Sequence, residues 1–153
     1  MSRTVRIAVA GALGRMGQAV LKVAGGRDDV AVAGVFDRPE LAGRGDLLTR
    51  DEAIEGADVV IDFTAPEASC ELAETAAARG GPALVVGSTG WTDEQLRRLS
   101  AAAARTAVVR SGNFSVGVNV LIASGLILFV ITLIVNSIAR YIINRRKAFS
   151  GAN

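Results

Sequence analysis

The sequence predicts an α/β domain over residues 1–120, a parallel sheet with helices on both faces, followed by one long apolar helix over 121–153. Three observations predict it. Short β-branched runs alternate with longer helical stretches through the first 111 residues, the rhythm of strands joined by crossover helices. The strand-like runs are nearly unbroken in apolar residues, as expected where a parallel sheet is buried on both faces. The mean hydropathy of +0.38 is concentrated at residues 121–143 rather than spread along the chain.

Each element has its own signal. Val5–Ala10 reads as the first strand. Residues 15–25 read as a helix with Met16, Ala19, Val20 and Val23 on one face. Val30–Phe36 is a second strand. Residues 38–56 are charged and glycine-containing, and read as a loop with at most a short strand or helical turn. Residues 58–63 form a third strand. Residues 67–79 are alanine-rich and helical, and stop at Gly80-Gly81-Pro82. Ala83–Val86 is a fourth strand. Residues 92–104 read as a helix, with Thr92 as N-cap and Gln95 completing a capping box. Residues 107–110 are a fifth strand.

Composition narrows the chemistry. There is one cysteine, Cys70, and no histidine. An internal disulfide is therefore excluded, and no cluster of histidine and cysteine exists for zinc, so no metal is expected. Cys70 reads as a small helix side chain, because no histidine is present to activate it. Residues 1–120 carry thirteen basic and fifteen acidic side chains; residues 121–153 carry four basic ones and no acid. The basic balance thus belongs to the tail and gives the domain no nucleic-acid surface. Met1-Ser2-Arg3 leads directly into a strand-like run without a signal peptide's apolar stretch, so the domain is expected in the cytoplasm.

The strongest local signal is Gly11-Ala12-Leu13-Gly14-Arg15-Met16-Gly17, which follows the first strand and opens a helix. Glycine allows the tight turn and lets a pyrophosphate approach the backbone, while the helix N-terminus offers free N–H groups and a positive dipole end. This places a dinucleotide fingerprint in its required context, and with it a Rossmann-like fold. No Gly-Lys-Ser/Thr follows, so the turn is not an ATP-type phosphate loop. Asp37 and Arg38 follow the second strand. An acidic residue there accepts from ribose hydroxyls and favours NAD; an arginine pairs with a 2′-phosphate and favours NADP. With both side by side, the choice between NAD and NADP stays open. Gly87, Ser88 and Thr89, and then Ser111, Gly112, Asn113 and Phe114, follow the fourth and fifth strands. In an open parallel sheet these turns share one edge with the first, where they are placed to orient a nicotinamide ring.

Four strings resemble the 4-hydroxy-tetrahydrodipicolinate reductase family. They are Ala8-Val9-Ala10 with the glycine motif that follows, Val60-Ile61-Asp62-Phe63-Thr64-Ala65-Pro66-Glu67, Val86-Gly87-Ser88-Thr89-Gly90-Trp91, and Gly112-Asn113-Phe114-Ser115-Val116-Gly117-Val118-Asn119. They occur in order over about 115 residues. The resemblance implies that Gly11, Ala12, Leu13, Gly14, Arg15, Met16, Asp37, Arg38, Gly87, Ser88, Thr89 and Ser111 to Phe114 contact NAD(P)H. It also implies hydride delivery to a cyclic imine dicarboxylate in lysine and diaminopimelate biosynthesis. The family's His-His-x-x-Lys catalytic segment and Pro-Ser-Gly-Thr substrate loop have no counterpart here, and the lysines are Lys22 and Lys147 only. No catalytic residue is therefore assigned, and a truncated or chimeric chain without turnover is expected.

Residues 121–143 differ in kind. From Leu121 to Val135 the only non-apolar residues are Ser124, Gly125 and Thr132. About 20 mainly apolar residues span a bilayer, and Tyr141 with Arg140, Arg145, Arg146 and Lys147 suits an interfacial end. Residues 120–143 are therefore expected to meet a lipid bilayer, the alternative being a buried core helix. The stretch from Leu128 to Tyr141 resembles the last transmembrane helix of a phosphate ABC transporter permease. A cytoplasmic domain would leave the basic tail facing outward, against the positive-inside bias. Two other readings accompany the reductase one. One is a membrane-tethered NAD(P) sensor without catalysis; the other is a permease fragment.

Overall fold

The computed structural model describes residues 4–114, together with 128, 129, 131 and 132. The chain divides into two compact units, Met1–Gly112 and Asn113–Asn153. The first contains β1 (Val5–Ala10), α1 (Arg15–Ala24), β2 (Val30–Phe36), α2 (Arg50–Glu55), β3 (Val59–Asp62), α3 (Pro66–Arg79), β4 (Ala83–Val86), α4 (Asp93–Ala103) and β5 (Val108–Arg110). A single 3₁₀ turn, Pro39–Leu41, follows β2.

The five strands form one sheet in the order β2-β1-β3-β4-β5, with every neighbouring pair parallel. Alternation along the strands divides the core in two. Ala8, Ala10, Val60, Leu84 and Val86 pack on one face with Ile54 of α2, Leu72, Ala73 and Ala76 of α3, and Leu99 and Ala102 of α4. Ile7 and Val9 face the other way, against Ala24 of α1. Helices thus cover both faces, and the doubly wound, Rossmann-like α/β architecture follows.

The helix ends show why the elements stop where they do. Thr92 caps α4 and forms a full capping box with Gln95. Pro66 occupies the first turn of α3, where its missing N–H costs no intrahelical bond. Gly80 ends that helix in the left-handed region (φ +60), and the Gly81 N–H donates back to the Ala76 carbonyl at 2.8 Å.

Two expectations need correction. Residues 38–56 hold more than the single helical turn expected within the loop: Arg50–Glu55 is a helix, with Thr49 and Glu52 forming a capping box. The Thr-x-x-Glu spacing carried that signal, but the helix lacks the long apolar period that marks larger ones. The register of β1 against β2 shifts after Ile7, skipping Ala33, and Gly34 then lies against α2. A Cβ on Gly34 would sit 3.1 Å from the Ala53 Cα, so the bare backbone lets α2 pack closely. In α1, the inward residues are Gly17, Val20, Leu21 and Ala24, whereas Met16 is 50% and Val23 65% exposed. The helix is rotated from the expected face because Gly17 is the position that meets the β1 turn.

In the second unit, the Thr132 hydroxyl donates to the Leu128 carbonyl at 2.9 Å. Leu128, Phe129 and Ile131 are exposed. The expected span over 120–143 otherwise lies outside the described residues, among which no helix is long and apolar enough to cross a membrane.

Candidate nucleotide-binding site

Because all five strands are parallel, their carboxyl ends deliver every following turn to one edge. β1 is flanked by β2 on one side and β3 on the other. The chain therefore reverses its direction of winding at β1, and the crevice at such a switch point is where open α/β sheets take ligands.

The glycine turn is held from several sides. Gly11 has φ +71, a conformation that residues with a Cβ rarely adopt. The Gly14 N–H donates to the Gly11 carbonyl at 3.0 Å, and the Ala12 N–H to the Phe36 carbonyl at 3.1 Å. Gln18 Nε2 donates to the Ala12 carbonyl at 2.6 Å. Ala12 is buried with both backbone groups engaged, so within the motif it braces the turn rather than facing out. Gly14, in extended conformation, begins α1 without a capping side chain. The first-turn N–H groups of α1, beginning at Arg15 and Met16, have no intrahelical acceptor and sit at the positive end of the helix dipole.

Asp37 joins the end of β2 to this turn. Its Oδ2 accepts from the Leu13 N–H at 3.0 Å and its Oδ1 from the Arg38 N–H at 2.9 Å. Only 14% of the Asp37 side chain is exposed, against 78% for Arg38, whose Nε lies 3.9 Å from the same carboxylate. A cavity of about 940 Å³ opens beside the pair. Its lining includes Gly11, Leu13, Gly14, Asp37 and Arg38, together with Arg50, Thr64 and Glu71.

The turns after β4 and β5 adjoin. The Gly87 N–H donates to the Asp62 carbonyl at 2.8 Å, and the Ser111 N–H to the Val86 carbonyl at 3.1 Å. A Cβ on Gly87 would fall 2.1 Å from the Phe63 ring, so this glycine leaves the room the ring occupies. Ser88 is buried, sharing a 3.0 Å hydrogen bond with Ser69, while Thr89 is exposed. Trp91 Nε1 donates to the Ser88 carbonyl at 2.8 Å, and the Arg110 guanidinium lies 5.6 Å from the Trp91 ring centre. A Cβ on Gly112 would lie 3.8 Å from Thr89 Cγ2. Asn113 and Phe114 belong to the second unit.

Sequence reasoning placed Asp37, Arg38 and the glycine turns on this edge but missed the part of the cavity lining that Thr64, Arg50 and Glu71 supply. Asp62 anchors part of it: its Oδ1 accepts from the Thr64 N–H at 2.8 Å and from Thr64 Oγ1 at 2.6 Å. Asp62-Phe63-Thr64 carried a readable turn signal, since aspartate bonds the backbone two residues on. Cys70 is buried in α3 and its Sγ donates to the Gln95 carbonyl at 3.4 Å. Burial pushes its thiol pKa up, away from a nucleophile's range.

These features suit a dinucleotide: a bare backbone at Gly11 and Gly14, an open helix N-terminus, and a charged pair beside a cavity. The family model for dihydrodipicolinate reductase, N-terminus, matches residues 5–114. The chain belongs to the dihydrodipicolinate reductase family. A curated 4-hydroxy-tetrahydrodipicolinate reductase of Caulobacter vibrioides is 60% identical over 121 residues, covering 79% of this chain and 47% of that protein. One of the same name from an Anaeromyxobacter species is 45% identical over 130 residues, covering 76% and 48%. The chain thus spans about half the length of the curated relatives it matches. A solved dipicolinate-bound dihydrodipicolinate reductase from Paenisporosarcina sp. TG-14 superposes with a TM-score of 0.62 at 23% identity, over 74% of this chain and 49% of that one. That likeness shows the fold. GenD2 from gentamicin A biosynthesis, solved in complex with NAD, superposes with a TM-score of 0.58 at 27% identity, over 74% and 36%. The domain is of the NAD(P)-binding class of this reductase family. The family match ends at residue 114, and the comparisons give the tail's transporter likeness no support.

Proposed function

We propose that this chain is the nucleotide-binding half of a 4-hydroxy-tetrahydrodipicolinate reductase, holding NADPH or NADH across its sheet edge without turning over substrate by itself. The observation that carries the reading is the glycine turn at the switch point, joined by Asp37 to the end of β2. The first-turn N–H groups of α1 meet the pyrophosphate. Asp37 and Arg38 meet the adenosine ribose, and the turns at Gly87–Thr89 and Ser111 border the nicotinamide. In a complete reductase, the nicotinamide held at this edge would supply a hydride for a cyclic imine dicarboxylate.

The absence of turnover rests on the side chains available. Reducing an imine calls for a proton at nitrogen from a positioned acid. The chain has no histidine, and its lysines are Lys22, exposed on α1, and Lys147. Calorimetric titration of the full chain with NADPH tests the binding half. Binding is expected in the wild type and none in Gly14→Asp, whose carboxylate would occupy the pyrophosphate's approach and repel it. The same samples, given enzymatically generated substrate, are expected to show no protein-dependent loss of NADPH absorbance. A folded wild type that ignores millimolar NADPH overturns the first half; turnover that Gly14→Asp abolishes overturns the second. A second reading, in which the tail tethers this domain to a membrane, is favoured by the apolar run at 121–143 and the acid-free basic end beyond it.

A further inference from the structure

Arg38 is poorly equipped to hold a 2′-phosphate alone. Its side chain is 78% exposed, and the Asp37 carboxylate beside it offsets its charge. The lining of the same cavity includes a second arginine, Arg50. Arg50 is the first residue of α2, and the backbone there is fixed by the Thr49–Glu52 capping box. Its Nη1 contacts Glu71 Oε2 of α3 at 3.2 Å, a single contact rather than a bidentate fork. Both partners are more than a third exposed, so the pair is weak and readily exchanged.

The other carboxylates lining the cavity are already engaged. Asp37 accepts from two backbone N–H groups, and Asp51 pairs with Arg79 at 2.7 Å. A phosphate dianion entering this cavity has two arginines in its lining, Arg38 and Arg50, and the acid it would displace from Arg50 is Glu71. A ribose hydroxyl carries no charge to draw Arg50 from Glu71.

We propose that Arg50 is a second, specificity-determining cation for the 2′-phosphate of NADPH, held by Glu71 until that phosphate arrives. This rests on the reading of the edge as an NAD(P) site. Exchanging an exposed ion pair for a charge-assisted phosphate contact favours NADPH and leaves NADH indifferent.

Calorimetry of the full chain with NADPH, NADH, adenosine 2′,5′-bisphosphate and adenosine 5′-monophosphate tests it. Arg50→Ala is expected to weaken NADPH and the bisphosphate about tenfold, the scale of one charge-assisted contact, and to leave NADH and the monophosphate within about twofold. Arg50→Lys should restore part of the loss, since it keeps the charge without the fork. Glu71→Gln, which removes the competitor, should tighten NADPH and leave NADH unchanged. Equal weakening of both cofactors by Arg50→Ala, or no change in either, overturns the assignment. Weaker NADPH binding in Glu71→Gln overturns the holding role. If the folded wild type binds neither cofactor, the site reading fails and this inference with it. If it binds both and Arg50→Ala is silent, this inference alone fails.

Discussion

At the scale of single residues, the site depends most on where a side chain is missing. A Cβ on Gly17 would lie 2.2 Å from the Gly11 carbonyl oxygen and 2.8 Å from the Ala12 Cα. Both are backbone, so no rotamer relieves the clash; α1 must move off the turn that opens it. Gly17→Ala is expected to cost about 2–3 kcal/mol of stability, the upper range for overpacking a tight site, although alanine is the better helix former. Urea denaturation measures this, and a Gly17→Ala chain as stable as wild type contradicts the close approach. The motif was legible in the sequence because a turn and its glycines are local. Asp37 was legible by position, but its bonding was not. Its carboxylate accepts from Leu13, 24 residues away, and only the pairing of β1 with β2 brings them together. Arg50 was not legible at all, because its place at the cavity depends on Gly34 admitting α2 against β2.

At the scale of elements, the strands and the longer helices were legible and the short helix was not. Buried parallel strands announce themselves by unbroken apolar runs, and α4 by its capping box; α2 has six residues, too few to show a period. The contacts between helices were equally hidden. Arg98 of α4 reaches two acids on α3, with Nε 2.8 Å from Glu74 and Nη1 bonded to Glu67. Gln95 also donates to Glu67 at 3.1 Å. The hydrogen bond from Arg98 is the main cause holding both carboxyls below their ordinary range, with Gln95 adding to it at Glu67. A depressed folded pKa contributes stability that is whole above the unfolded value of about 4.3 and is lost as pH falls through the folded one. Arg98→Ala should therefore lower the urea midpoint at neutral pH, and the gap from wild type should close as the solution is acidified. Both glutamates are about half exposed and Arg98 is partly so, and the gap should also shrink in high salt. A gap that stays constant from neutral pH down to about pH 3 rules out the ionic clamp as its source.

At the scale of the whole molecule, the chain is unbalanced in both charge and hydropathy. Residues 1–120 are slightly acidic, while residues 121–153 join an apolar run to four basic side chains without an acid. Two forces can then bring the chain to a membrane, and they leave different signatures. Basic side chains near anionic lipid each contribute about 1 kcal/mol, and salt screens them within a Debye length. Apolar surface buried in the bilayer is indifferent to salt and to high pH. Under the tethered reading, the full chain expressed in cells is expected in the membrane fraction. It should remain there through a molar salt wash and carbonate extraction, and leave only with detergent. Release by salt alone would assign the attachment to Arg140, Arg145, Arg146 and Lys147. Recovery of the full chain as a soluble monomer overturns the tether, and residues 121–143 are then buried within protein instead of lipid.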